Sequence, residues 1–63
     1  MTEFERVLMK RDHMTEEEAK RERRRAHLEM MEMIEDGADY DEVEDYLAYE
    51  FGLEPDYIDE LIF

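Results

Sequence analysis

Fourteen carboxylates fall between Glu29 and Phe63, and no basic side chain accompanies them. All eight Lys and Arg lie between Arg6 and Arg25. The later segment therefore carries a formal charge of −14 in a chain whose total is −13, while the first 28 residues, with seven acids, are close to neutral. Carboxylates in such number could do three kinds of chemistry. They could exchange protons, hold a hard cation, or imitate the phosphates of a nucleic acid in front of a basic protein.

Proton exchange has the least support. An acid–base pair needs a cleft whose environment splits two pKa values, and a helical chain of 63 residues has little volume from which to make one. Ser, Cys, Asn and Gln are all absent, so the usual nucleophiles and the amides that line many small-molecule sites are missing. The sequence predicts no enzyme and no catalytic residue. Cation binding fails on spacing. Counted from Asp39, Asp41 and Glu50 fall on positions three and twelve of a calcium loop, but Val43 and Glu44 stand where a ligand and a glycine are required. His13 and His27 are too far apart to form a local ligand pair. No metal and no cofactor is expected.

Imitation of phosphate fits the pattern better. Glu29, Glu32, Glu35 and Asp36 lie away from the apolar stripe of one helix, and Asp41, Glu42 and Asp45 lie on the outer face of the next. Carboxylates three or four residues apart repeat every ~4.5–6 Å along a helix, against one phosphate per ~3.4 Å on each strand of duplex DNA. Tyr49 projects with the second set, and exposed tyrosines are enriched at binding hot spots. These eight residues are the expected partner-binding surface, and the expected partner is a protein with a basic, nucleic-acid-binding site. A solvated face is the plainer reading of any acidic helix. The absence of balancing Lys or Arg over 35 residues favours docking.

The basic run Lys20, Arg21, Arg23, Arg24, Arg25 could itself hold phosphates in the fork geometry of guanidinium groups. Glu16, Glu17, Glu18 and Glu22 sit within the same turns, and Glu16 with Lys20 and Glu17 with Arg21 make favourable i,i+4 pairs. Direct nucleic-acid binding is therefore not expected. Self-association is a better use of the arginines. Two antiparallel copies could set Arg21, Arg24 and Arg25 against Glu32, Glu35 and Asp36, over a flexible stripe that includes Met30 and Met33. This arrangement supplies the alternative function, a homo-oligomeric structural or assembly protein, most simply a homodimer.

Helix punctuation positions these groups. Thr2 with Glu5 reads as a capping box opening a short helix to about Arg11, with Phe4, Val7 and Leu8 on one face and a turn at Asp12–His13. Thr15 with Glu18 repeats the box, with Met14 and Ala19 spaced as a hydrophobic staple, and opens a long helix to about Asp36 that Gly37 stops. Its apolar stripe is Ala19, Ala26, Met30, Met33 and Ile34, with Arg23 and His27 at the edges and Leu28 on the opposite face. Asp39 with Glu42 opens a third helix, lined by Tyr40, Val43, Leu47 and Phe51 and ended by Gly52, with Leu53 packing back over its last turn. Pro55 suits the first turn of a short final helix whose apolar side is Tyr57, Ile58, Leu61 and Ile62. Tyr40, Tyr46 and Tyr57 are expected in or beside the core.

No segment alternates with period two, so no sheet is expected. The predicted fold is all-α, a single small helical domain over residues 1–63 with one long helix, a medium helix and two short ones. Residues 1–13 are its most loosely attached part. A domain this small buries only about 60% of its unfolded surface, so marginal stability is expected.

The strings RDHMTEEEA (residues 11–19) and FGLEPDYIDEL (residues 51–61) resemble segments of small acidic proteins encoded by bacteriophages, a group without an assigned activity. The resemblance implies a phage origin, where short accessory proteins often act by binding host machinery. It transfers no functional residue. The opening MTEFERVLMKRD has no continuous apolar run, and nothing approaches the ~20 apolar residues that span a bilayer. No secretory signal and no membrane partner are expected, and the expected location is the cytoplasm, that of the host for a phage product.

Overall fold

Thr2, Thr15 and Asp39 each open a helix by accepting a backbone amide on a side-chain oxygen. The computed structural model describes residues 2–62, which form α1 (Glu3–Arg11), α2 (Glu16–Glu35), α3 (Tyr40–Phe51), a 3₁₀ turn (Pro55–Tyr57) and α4 (Ile58–Ile62). Among the described residues there is no strand. The fold is small and all-α, as the helical period and the three caps predict.

Both capping boxes are complete. The Thr2 and Thr15 hydroxyls accept from the amides of Glu5 and Glu18, and those glutamates reach back to the threonine amides at 3.1 and 2.8 Å. α2 ends in a Schellman motif. The amide of Ala38 bonds the Met33 carbonyl at 2.9 Å and that of Gly37 bonds Ile34 at 3.1 Å. Gly37 takes φ +95° to close this ring pair, and Gly52 ends α3 at φ +65°. His13 takes φ +57° in the turn between α1 and α2, which reverses the chain within four residues.

α2 is the axis of the molecule. Its twenty residues span about 30 Å at 1.5 Å per residue, close to the longest dimension of 33 Å. It packs against α1, α3 and α4. Ala19 and Ala26, both fully buried, keep its inner face thin. Phe4, Leu8, Met30, Leu47, Ile58 and Leu61 fill the space around that face, and Val43, Phe51 and Leu53 complete the core. The Phe4 and Phe51 rings meet edge to face at 5.2 Å, and Tyr46 meets Phe51 in the same manner at 6.2 Å.

Three sequence expectations change here. α1 is not loosely attached, because Phe4 and Leu8 are wholly buried and Glu60 of α4 accepts from the amides of Glu3 and Phe4. Tyr40 is 58% exposed: as the first residue of α3 it stands before the point where that helix meets its neighbours. Ile34, in the last turn of α2, is exposed for the corresponding reason.

Candidate protein-docking surface

The C-terminal half of α2 and the outer side of α3 lie next to each other and form two shallow depressions open to solvent. The first, of about 670 Å³, has Met33, Tyr46, Ala48 and Tyr49 as its apolar lining, with Glu42 and Asp45. The second, of about 400 Å³, is lined by Glu29, Glu32 and Asp36 from α2 and Glu50 from α3, again around Met33 and Tyr46. Because both share Met33 and Tyr46, they form one continuous surface, an apolar floor bordered by carboxylates. Neither is enclosed as a small-molecule cleft would be.

Six of the eight sequence-predicted partner-binding residues therefore come together: Glu29, Glu32, Asp36, Glu42, Asp45 and Tyr49. Glu35 and Asp41 line neither depression. Tyr49 is 91% exposed and packs against neither Leu28 nor the last helix. Glu50 joins this surface although no sequence pattern by itself marks it. Its only sequence signal is its place four residues after Tyr46, and that has meaning only once Tyr46 is known to sit at the α2–α3 junction.

Tyr46 organises this junction. Its hydroxyl donates to the Glu29 carboxylate at 2.5 Å, joining α3 to α2. Burial, and then the hydrogen bond and charge of Glu29, push the Tyr46 pKa well above the ordinary tyrosine value. The other Glu29 oxygen accepts from Arg25 at 3.1 Å. Arg25 also pairs with Glu22 at 2.7 Å and lies over the Phe51 ring, 5.4 Å from its centre. Hydrogen bonding to Glu22 raises its pKa further.

Glu29 is the only one of the fourteen later acids in an ion pair among the described residues. Asp39 and Glu60 accept helix-capping hydrogen bonds, but several of the others stand where the fold gains nothing from them. Glu32, Glu35 and Asp36 crowd the C-terminal turn of α2, and Glu50 that of α3, with no basic residue in either last turn. A negative charge there opposes the helix dipole by ~0.3–1 kcal/mol each, and carboxylates three or four residues apart repel one another. Stability alone would not place them so.

The residues expected to carry self-association separate into two groups. Met30 is fully buried in the core, so it is not on any surface, and Met33 is half-buried in the docking floor. Arg25 is held within its own chain. The Ala/Met stripe faces α1, α3 and α4 because these short helices have no other apolar surface to cover. Arg21 and Arg24, by contrast, are exposed on the outer side of α2 and make no ion pair among the described residues.

Two charged side chains serve the fold itself. Glu5 is 3% exposed, and although its burial opposes ionisation, bonds from the Thr2 amide and hydroxyl and the nearby Arg23 hold its pKa below the ordinary range. Arg23 Nε lies 3.4 Å from Glu5 Oε1, an ion pair outside hydrogen-bond geometry. His27 donates from Nδ1 to the Leu61 carbonyl, satisfying an acceptor in α4 that the helix leaves open.

Among the described residues, no group of three or more His, Cys, Asp and Glu is placed to hold a metal ion, and no helix is long and apolar enough to cross a membrane. No known protein family, curated protein or solved structure matches this chain.

Proposed function

We propose that this chain is a protein-binding module whose α2–α3 surface docks on a basic, nucleic-acid-binding site of another protein and competes with nucleic acid for it. One observation carries the reading. Of the fourteen acids after residue 28, only Glu29 is in an ion pair among the described residues, and acids outside any such pair border an apolar floor that ends in a nearly fully exposed tyrosine. Unpaired carboxylates steer a basic partner and make the contact salt-sensitive. Tyr49 and Met33 supply the apolar contact that charge alone lacks. The resemblance to small phage proteins makes the partner a host protein and the chain its inhibitor, acting in the host cytoplasm.

The test is capture from nuclease-treated bacterial lysate on the immobilised chain, with elution by stepped salt and by duplex DNA. A nucleic-acid-binding protein released by both, and no longer captured when Glu32, Asp36, Glu42 and Asp45 are changed to Lys, supports the proposal. Capture that survives this reversal, in a chain still helical by circular dichroism, overturns it.

A second reading, a homo-oligomer with a structural or assembly role, is favoured by a separate observation. Leu28 is 61% exposed on the outer side of α2, between Arg21 and Arg24 on one side and Glu32 and Glu35 on the other.

A further inference from the structure

The outer face of α2 carries an ordered sequence of charge. Leu28 lies near its middle, with Met31, 38% exposed, one turn on. Arg24 and Arg21 stand four and seven residues before Leu28, and Glu32 and Glu35 stand four and seven residues after it. All four charged residues are exposed. They occupy the face opposite Ala19, Ala26 and Met30, which are buried in the core, and nothing else among the described residues covers them.

We propose that α2 pairs antiparallel with α2 of a second copy about a two-fold axis passing through Leu28. Reversal about residue 28 carries position 24 onto 32 and position 21 onto 35. At 1.5 Å per residue, Arg24 and Glu32 lie ~6 Å to either side of the axis and Arg21 and Glu35 lie ~10.5 Å from it. Each arginine of one copy therefore meets a glutamate of the other, and every pair occurs twice. The two Leu28 side chains meet on the axis, with Met31 closing the contact on both sides.

The pattern selects this occupant over others. A parallel pair would set arginine against arginine and acid against acid. A basic peptide would meet the acids at one end of the face and be repelled by the arginines at the other, and a nucleic acid would suffer the converse. Only a reversed copy of the same face is complementary from residue 21 to residue 35. The acids of α3 and α4 lie behind α2, about a helix diameter of ~10 Å away, and at 0.15 M salt charges are screened over ~8 Å. With two apolar side chains per copy the interface is small, and we expect a dissociation constant on the order of 100 μM.

The experiment is sedimentation equilibrium at ~0.15 M salt up to ~1 mM protein, a range set by that affinity. The wild-type chain should reach a dimer mass. Arg24→Glu and Glu32→Arg should each weaken association about tenfold or more by placing like charges together, and the double swap should restore it. These positions are exposed, so circular dichroism should show unchanged helix in all three. As a direct check of register, Leu28→Cys introduces the only cysteine in a chain that has none. Under mild oxidation it should cross-link far faster than Tyr49→Cys. A monomer mass throughout, association that the swap does not restore, or equal cross-linking at the two positions would overturn the proposal. Glu32 belongs to both surfaces, but Arg24 lines neither depression, so loss of the dimer in Arg24→Glu leaves capture by a basic protein as a separate result.

Discussion

Glu60 on α4 accepts a hydrogen bond from the backbone amide of Phe4, 56 residues earlier, at 3.0 Å, and its second oxygen accepts from Glu3 at 3.3 Å. With Thr2 accepting from Glu5, the free amides of the first turn of α1 are all satisfied. A carboxylate at this position also faces the positive end of the helix dipole.

Glu60→Ala should therefore cost about 1–2 kcal/mol, the value of a charge-assisted bond at a helix N-terminus. In a domain of this size that lowers Tm by very roughly 4–15 °C. Thermal denaturation by circular dichroism measures it, and Glu60→Gln, which keeps one acceptor, should lose less. A variant as stable as wild type would mean that α1 is held by Phe4 and Leu8 alone.

The capping box of α1 makes stability depend on acid pH. The Glu5 pKa is lower in the folded chain than its ordinary 4.5. The folded state thus binds fewer protons, and the contribution is complete above the unfolded value and lost as pH falls through the folded one. Glu5→Gln should reduce stability at pH 7 and flatten its decline below about pH 4.5. Relief of repulsion among the other acids acts equally in both proteins, so the difference between their urea midpoints isolates Glu5.

Tyr46 gives the opposite slope at the alkaline end. Its folded pKa is raised above the ordinary 10.0 by burial and by Glu29. Its contribution is therefore present below pH 10 and lost as pH rises beyond it. Absorbance titration should show one tyrosine ionising well after the unfolded chain's, and Tyr46→Phe should abolish that late step. The substitution should also cost about 1 kcal/mol at pH 7.

If the acids at the end of α2 serve recognition, removing one should stabilise the monomer. Glu35→Lys, placed in the last turn where the dipole favours a cation, should raise stability by about 0.5–1 kcal/mol in dilute solution. A Tm unchanged or lowered would show that the fold uses this acid after all.

The two glycine stops should respond differently to asparagine. Gly52 sits at φ +65°, ψ +32°, a conformation that Asn accepts. Gly37 sits at φ +95°, outside that region, although no atom lies within 4 Å of an added Cβ. Gly52→Asn should cost under about 1 kcal/mol and Gly37→Asn about 1–2, measured by urea unfolding.

The sequence by itself determined the helices and their ends. Thr2, Thr15 and Asp39 cap helices through bonds to amides three residues away, and Gly37 and Gly52 stop them through their own φ. Each of these signals is complete within a few residues, so no tertiary contact is needed to read it. The same holds for the spacing of Val43, Leu47 and Phe51, and for the segregation of charge.

Tertiary structure decided which faces meet, and therefore which residues remain for function. Met30 went to the core because α1, α3 and α4 all needed the one apolar side of α2. Glu5, charged and near the start of the chain, became buried because Thr2 and Arg23 could hold it. Glu50 joined the acidic surface, and Glu35 and Asp41 left it, through the rotation of α3 that sets Tyr46 against Glu29. Leu28, on the wrong side of its helix for the core, was legible as an outlier. Only the packing showed that it stands uncovered, between two arginines and two glutamates in mirror order. Helical period tells which side chains share a face, but the partner of each face depends on residues far away in the chain.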